Sequence, residues 1–433
     1  MRIRIPFHDL TQRLVEALPD PAEYKGCIVA YCIGLILGYA VLTVSRPYPG
    51  FPLGGPADFT IFYTAAHIIR AGQGDRLYDL ALQTKVQQSF LRPHGWIMQN
   101  GLLPYNYPPV AAFLYLPFSF MRLQWAFHAW NAVNIGLALV CIRLLTPSDI
   151  NRRSRKTVLT ISLAVFSFYP VFRVFWNGQT TLLIALCLVL TYVWLREGKE
   201  TLAGMALGLG LLKPQLIVTL LLVLIYRRRW RSVLGFGASA FMLMVLSAIA
   251  VGSRGLRSYL ALVVSIPYWN GFGGMVPGFM VNIRGTVARI AQPLTSFFGV
   301  RVTSAQVTAL TGLLSLPVLA LLLFIWKGLW NTGSDKFRLQ YALTMMGSLL
   351  LSFHLYDYDV SLLLIAGFLV ADYFASRGEK RKGLLLICAG HVGHFLPWFF
   401  FDKPGWAQSV QIVIVALAIP LIRRVGSGGC TSE

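Results

Sequence analysis

Long apolar stretches recur along the chain between Cys27 and Ile422, and short polar loops separate them. Many of these stretches approach the roughly 20 residues that a helix needs to cross the hydrocarbon core of a bilayer. The chain is 56% hydrophobic and only 13% charged, whereas soluble domains carry about 25% charged residues. Within lipid, each backbone polar group must be paired inside its own segment, which favours helices. The sequence therefore predicts an all-α integral membrane protein.

About twelve transmembrane helices are predicted from these stretches. They lie near residues 27–44, 124–145, 157–174, 178–195, 202–212, 214–226, 232–251, 304–326, 339–353, 359–375, 383–397 and 406–422. The predicted organisation is a cytoplasmic N-terminal segment at 1–26, a transmembrane module at 27–251 that includes an outer loop at 45–123, a second outer loop at 252–303, C-terminal transmembrane helices at 304–422 and a cytoplasmic tail at 423–433.

The net charge of +21 invites comparison with nucleic-acid-binding proteins, but the basic residues form short clusters between the apolar spans. With twelve spans and a cytoplasmic N terminus, about 24 of the 38 Lys and Arg residues fall in cytoplasmic loops and tails, as the positive-inside rule requires. This agreement needs Val110 to Met121 to be interfacial or re-entrant, and Leu202 to Tyr226 to be broken at Lys213–Pro214. The charges thus predict a multi-pass protein with both termini in the cytoplasm, and no nucleic acid as a partner.

The outer side of this topology holds few polar groups. Phe59 to Ala71 and Tyr78 to Leu91 have the apolar spacing of amphipathic helices, which we expect to lie flat on the membrane surface. A reaction on that side must draw on a short set of carboxylates, namely Asp58, Asp75, Asp79, Asp357, Asp359 and Asp402.

Asp58 and Lys213 are the two outer residues whose positions most need an explanation. Asp58 begins an amphipathic helix, where a carboxylate is either an ordinary N-cap or a base that accepts a proton from a substrate hydroxyl. Lys213 lies between two half-spans, where an unpaired charge is costly. Either a lipid phosphate compensates that charge, or the side chain extends to the outer surface.

A second group of candidates lies near the end of the chain. His354, Asp357 and Asp359 fall within six residues, and the alternatives are a structural cluster or a site for substrate or phosphate. A metal site is conceivable, but no further ligands are evident and the cysteines form no CxxC pair, so no metal is predicted. Arg284 is suited either to phosphate binding through its planar fork or to an ordinary ion pair.

The motifs taken together resemble glycosyltransferase family 87. The resemblance extends over roughly residues 27–425, and it rests on the order and spacing of the motifs. The matching positions are Asp58-Phe59, Tyr63, Ala65, Gly72, Leu77-Tyr78-Asp79, Tyr107-Pro108-Pro109, Gly178-Gln179, Gly208, Lys213-Pro214, His354 and Tyr358-Asp359. The Phe59 that follows Asp58 departs from the Asp-Glu pair of many related GT-C enzymes and favours family 87 over them.

The resemblance implies a GT-C-like bundle with the catalytic carboxylate in its first outer loop and a polyprenyl-phosphate sugar as donor. Asp58 would be the catalytic base and His354 part of the donor or acceptor site, with Lys213 as a phosphate contact. The other expected substrate-binding residues are Arg284, Tyr63, Tyr107, Gln179, Asp357 and Asp359. Neither a metal nor a cofactor is implied.

The function expected from the resemblance is inverting transfer of mannose or another monosaccharide to a glycolipid or polysaccharide acceptor. The expected location is a bacterial inner membrane, with the active site facing the periplasm and membrane lipids as partners. A single carboxylate suffices for this reaction, because phosphate is already a competent leaving group, unlike in glycoside hydrolysis. The alternatives are a transporter or flippase, which usually has related halves and short outer loops, and a lipid-binding scaffold without catalysis.

Overall fold

A computed structural model describes residues 21–44, 57–91, 103–146, 155–265, 280–298 and 302–384, and positions 387, 388, 390, 391 and 393. All regular structure within these ranges is helical, which confirms the all-α prediction for the described part of the chain. The predicted span at 406–422, most of that at 383–397, Asp402 and the predicted tail lie outside the described residues.

The chain forms a series of α-helices interrupted by short 3-10 helices. In order they are α1 (Pro21–Val44), α2 (Ala57–Arg70), α3 (Leu80–Leu91), α4 (Pro109–Leu114), α5 (Leu123–Leu145), α6 (Arg155–Ser167), α7 (Tyr169–Asn177), α8 (Thr181–Arg196), α9 (Glu200–Leu209), α10 (Pro214–Tyr226), α11 (Trp230–Val264), α12 (Ile283–Phe298), α13 (Ser304–Ile325), α14 (Asp335–Leu351) and α15 (Leu363–Ser376). The 3-10 helices are Gly74–Arg76, Leu116–Phe120, Gly210–Leu212 and Asp357–Leu362.

Four stretches of the described chain are long and apolar enough to cross a membrane, namely α5, α11, α13 and Asp357–Ser376. The bent pair of α6 and α7 adds a fifth if it forms one span. Several shorter apolar helices are present too: Ile28–Val41, Thr181–Arg196, Glu200–Leu212 and Pro214–Tyr226. The protein is therefore a helical membrane protein, while the figure of about twelve spans stays a prediction.

Proline explains two of the helix breaks. The predicted break at Lys213–Pro214 is confirmed, because the 3-10 helix Gly210–Leu212 ends at Lys213 and α10 begins at Pro214. Over the span predicted near 157–174 the chain forms two helices, because α6 and α7 meet at an angle of 66°, and a single crossing there stays a prediction. Pro170 occupies the first turn of α7, where its missing N–H costs nothing and its ring prevents continuation from α6.

The outer helices α2 and α3 are present near the predicted positions, but α2 does not depend on lipid to cover its apolar face. Phe59, Phe62, Ala65 and Ile68 are all fully buried within the protein. Phe62 stacks on Tyr115 with ring centroids 4.5 Å apart. The expectation that α2 lies on the membrane surface by its apolar face is thus corrected: that face packs on the protein core.

The two ends of the helix bundle carry different sets of polar residues. At one end, Arg229 pairs with Glu200, and Arg338 lies 3.1 Å from Asp372. At the other end, α8, α10 and α15 begin close to a polar cluster, and α14 ends close to it. The cluster consists of Asp58, Arg173, Gln179, Thr181, Lys213, Asp357 and Asp359. The 21 residues of α11 from Trp230 to Ala250 span about 30 Å between these ends, the thickness of a hydrocarbon core.

Candidate functional site

The turn between α7 and α8 carries the residue that organises the cluster. Gly178 ends α7 with φ at 64°, a conformation that glycine adopts without strain. A Cβ at this position would lie 2.6 Å from the Cβ of Phe59, so the turn touches the first turn of α2 directly. The next residue, Gln179, is fully buried. Its backbone carbonyl oxygen accepts hydrogen bonds from the side chains of Trp130 and Asn134, each at 3.3 Å. The glutamine side chain therefore has a fixed direction.

Gln179 connects Asp58 with Tyr107. Its Nε2 donates to Oδ2 of Asp58 at 2.6 Å, and the hydroxyl of Tyr107 lies 3.5 Å from its Oε1. Asp58 falls within the first turn of α2, where the sequence allowed either a cap or a base. Its carboxylate points at the cluster, and the side chain is only partly buried. Three residues predicted for the site are thus brought together.

Burial raises the pKa of Asp58 above the value of an ordinary aspartate. The hydrogen bond from Gln179 and the positive charges of Lys213 and Arg173 act in the opposite direction, while Asp357 adds to the increase. A carboxylate with a raised proton affinity is a stronger base once it is ionised, as acceptance of a hydroxyl proton requires.

Lys213 is buried and paired within the protein. Its Nζ donates to Oδ1 of Asp359 at 2.7 Å and to the hydroxyl of Thr181 at 3.1 Å. The exposed fractions of the Lys213 and Asp359 side chains are 2% and 1%. Because Asp359 compensates the lysine, the charge no longer requires a lipid phosphate. Contact between Lys213 and a lipid phosphate stays a prediction, and the cost of an unpaired buried charge no longer supports it.

Arg173 is a member of the cluster that the sequence analysis did not identify. It lies on α7, and its Nε donates to Oδ2 of Asp357 at 2.6 Å. The exposed fractions of the two side chains are 20% and 12%. The available signal was an arginine near the end of the apolar stretch Val158–Trp176, because a charge in such a position is expensive without a partner.

His354 lies in the loop after α14, next to the start of α12. Asn282 joins the two by donating to the carbonyl oxygen of Ser352 at 2.6 Å. Burial, together with the positive charges of Lys213 and Arg284, lowers the pKa of His354 to about 4, although the negative charge of Asp359 opposes this decrease. The ring is therefore neutral at physiological pH. Its Nδ1 is buried, and no described residue forms a hydrogen bond with it.

The remaining predicted residues have different positions. Arg284 is buried at 1% exposure, lies over the ring of Phe353 at 4.0 Å and interacts electrostatically with His354. Tyr63 instead points its hydroxyl at the carbonyl oxygen of Met121, at 2.7 Å. That contact accounts for Tyr63 structurally, and its role in substrate binding stays a prediction.

Two other polar groups have structural contacts. Asp79 accepts hydrogen bonds from the backbone N–H groups of Ala81 and Leu82 and so caps α3. Nε2 of His391 lies 2.9 Å from the carbonyl oxygen of Ala164, so His391 makes a contact between helices. In the described ranges, no three His, Cys, Asp or Glu side chains are grouped as metal ligands.

The sequence was compared with known protein families and with curated proteins. The model of glycosyltransferase family 87 matches residues 105–355, more than half of the chain. The match includes Tyr107, Gln179, Lys213, Arg284 and His354, whereas Asp58 precedes it. The comparison with curated proteins gave no significant match. The chain therefore belongs to glycosyltransferase family 87 and is a membrane glycosyltransferase.

Proposed function

We propose that the protein transfers a monosaccharide from a polyprenyl-phosphate donor to the hydroxyl of a glycolipid or polysaccharide acceptor, with inversion at the anomeric carbon. The observation that carries the proposal is the carboxylate of Asp58, which Gln179 holds at 2.6 Å in a cluster with positive charge close by. Asp58 acts as the base. No metal or cofactor takes part, and mannose is the first sugar to test.

The reaction needs little from the protein beyond a base and positive charge. The acceptor oxygen forms a bond with the anomeric carbon while the bond from that carbon to the phosphate oxygen breaks. The hydroxyl proton passes to Asp58, and the electron pair leaves with the phosphate. Groups fixed in advance of the reaction stabilise this charge separation most effectively, and the buried Gln179 turn provides such fixation.

His354 contributes a hydrogen bond rather than a charge. The imidazole is neutral above a pH of about 4, the pKa given by its surroundings. A neutral ring donates from one nitrogen and accepts at the other. Its buried Nδ1, next to Asp359 and Arg284, is suited to a sugar hydroxyl. His354 is thus a binding residue in the proposal.

The position of the cluster supports access from the outer side of the membrane. Helices α8, α9 and α10 are shorter than the roughly 20 residues of a usual span, and α8 and α10 begin near the cluster. The basic ends of α10 and α14 lie away from it, as expected for cytoplasmic ends. We propose a bundle of about twelve spans in a bacterial inner membrane, with the cluster facing the periplasm and both termini in the cytoplasm.

The test is transfer by purified protein in nanodiscs, supplied with polyprenyl-phosphate mannose or related donors and a membrane-lipid extract. Release of free polyprenyl phosphate measures the reaction. Asp58→Asn is expected to lower the rate by about 10²- to 10⁴-fold, since it removes the general base. Asp75→Asn is the matched control, because Asp75 lies in the same outer segment with 46% of its side chain exposed and should not affect transfer.

Two outcomes would contradict the proposal. Equal rates for the Asp58→Asn variant and the wild type would exclude Asp58 as the base. If the wild type binds lipid but consumes no donor, the result would favour a transporter, a flippase or a scaffold.

A further inference from the structure

Three positively charged residues lie in the described part of the site: Lys213 and Arg173 act on Asp58, and Lys213 and Arg284 act on His354. They differ in how far an incoming ligand can reach them. Lys213 and Arg284 are buried at 2% and 1% exposure, and Lys213 donates to the carboxylate of Asp359 at 2.7 Å. The side chain of Arg173 retains 20% exposure. Arg173 is therefore the most accessible of the three cations.

Arg173 is also held at a fixed place relative to Asp58. It lies one turn before Asn177 on α7, and the same helix leads into Gly178 and Gln179. Asn177 donates to the carbonyl oxygen of Arg173 at 3.0 Å, and Gln179 donates to Asp58. The positive charge of Arg173 favours the ionised form of Asp58. The base and this cation thus belong to one rigid unit.

We propose that Arg173 binds the phosphate of the lipid-linked donor and stabilises it as it leaves, with Asp357 as the residue that positions the guanidinium. This inference rests on the proposed function. An arginine has five N–H donors in a planar fork that matches phosphate oxygens. Asp357 accepts a hydrogen bond from Nε at 2.6 Å and so fixes the orientation of the guanidinium plane.

The chemistry requires a cation at this point. The donor is a phosphodiester with one negative charge, and the departing polyprenyl phosphate is a monoester that carries between about −1.5 and −2 near neutral pH. The additional charge is the electron pair of the broken bond between the sugar carbon and the phosphate oxygen. The proton released by the acceptor goes to Asp58. A cation that contacts the phosphate is therefore bound more strongly after the bond breaks than before.

The experiment measures phosphate binding without sugar transfer. Wild-type protein and variants are placed in nanodiscs of uncharged phosphatidylcholine at pH 7.5, and dissociation constants for farnesyl phosphate and farnesol are measured by titration calorimetry. The two probes have the same isoprenoid chain and differ in the phosphate. Arg173→Gln is expected to weaken farnesyl phosphate binding by about tenfold or more and to leave farnesol binding unchanged.

Two further variants separate phosphate binding from a structural ion pair. Arg173→Lys keeps the charge but not the fork, so its loss should be smaller than that of Arg173→Gln. Asp357→Asn keeps a side-chain oxygen that can accept from Nε and position the guanidinium, but it removes a negative charge that repels phosphate. It should therefore preserve or improve farnesyl phosphate binding. Arg338→Gln is the matched control, because Arg338 is 12% exposed and pairs with Asp372 at the opposite end of α14. It should bind both probes like the wild type.

The inference is overturned if Arg173→Gln binds farnesyl phosphate like the wild type. It is also overturned if Arg173→Gln and Asp357→Asn lose both probes equally, since that pattern belongs to a purely structural ion pair. Its failure differs from failure of the proposed function. A wild type that transfers sugar while Arg173→Gln binds the phosphate normally refutes only the role of Arg173. Phosphate binding that depends on Arg173, without transfer from any donor, supports the anion site and counts against the transferase.

Discussion

At the scale of single residues, Asp58 has a proton affinity that its neighbours determine. Burial raises its pKa, and the hydrogen bond from Gln179 opposes that increase. The base must be ionised to act, so the rate falls as the pH drops through the pKa of Asp58. We expect the acid limb of kcat/KM to lie above the ordinary aspartate value of about 3.9. Gln179→Leu removes the opposing hydrogen bond and should move the limb to higher pH.

The pH–rate profiles of the wild type and of Gln179→Leu check this prediction. Asp75→Asn is a control that should keep the wild-type profile. His354 should contribute no limb near the ordinary histidine value of about 6.5, because its pKa is lowered to about 4. A limb of Gln179→Leu at or below that of the wild type would contradict the assignment of Gln179 as the group that favours ionised Asp58.

The buried pair of Lys213 and Asp359 gives a second prediction at this scale. Lys213→Met leaves the carboxylate of Asp359 buried without its cation, which should lower the free energy of unfolding by about 3–5 kcal/mol. The double variant Lys213→Met with Asp359→Leu removes both charges and should recover most of that loss. Thermal unfolding in detergent measures both. If Lys213→Met is as stable as the wild type but binds farnesyl phosphate poorly, Lys213 is the phosphate contact after all.

The sequence predicted some of the cluster and missed other parts for identifiable reasons. Asp58, Asp357 and Asp359 were found because topology leaves few carboxylates on the outer side. The pairing of Lys213 with Asp359 joins residues 146 positions apart, and no local pattern reports such a contact. The sequence does not single out Arg173, because this residue lies at the end of an apolar stretch whose pattern predicts only a membrane span.

At the scale of elements, α9 and α11 pack with unusually close backbones. A Cβ at Gly204 would overlap the carbonyl oxygen of Ser232, and one at Gly208 would lie 2.8 Å from the carbonyl oxygen of Phe236. Small residues spaced four apart allow helices to approach in this way within membranes. The packing holds α9, and hence Lys213 beyond its end, in a fixed position.

Gly204→Ala is therefore expected to destabilise the protein by about 1–3 kcal/mol, because the backbone of α11 must move away. Gly136→Ala in α5 is the matched control, since a Cβ there meets no atom within 4 Å. It should leave the midpoint of thermal unfolding unchanged or raise it slightly, as alanine favours a helix. Equal unfolding midpoints for the two variants would show that close contact at Gly204 does not stabilise the packing.

The position of a helix was predictable where its physical cause is local in the sequence. Apolar length identified α5 and α13, and Pro214 identified the break before α10. The 66° bend before α7 also follows from a proline, but its direction depends on packing against other elements. The burial of α2 was not predictable from amphipathic spacing, because protein and lipid cover an apolar face equally well.

At the scale of the whole molecule, α11 joins the two chemically different ends. Near its start, Arg229 pairs with Glu200, and Gly235 packs on the backbone of Thr201. Near its outer half, Ala250 contacts Gly74, and Ser247 accepts from the backbone N–H of Val110. The 3-10 helix Gly74–Arg76 and the loop between α8 and α9 thus lie near opposite ends of a helix long enough to cross a membrane. The charge pattern predicts that these two ends face opposite sides of the membrane.

This separation predicts opposite labelling of two exposed positions. In a variant whose native cysteines are replaced, Gln73→Cys lies in the outer loop, and Glu197→Cys lies between α8 and α9. A maleimide that cannot cross membranes should label Gln73→Cys in intact spheroplasts and Glu197→Cys only after permeabilisation. Because both side chains are exposed, a difference reports membrane side rather than burial. Reversed labelling would put the cluster in the cytoplasm, where Asp58 and Arg173 would need a donor presented on the inner leaflet.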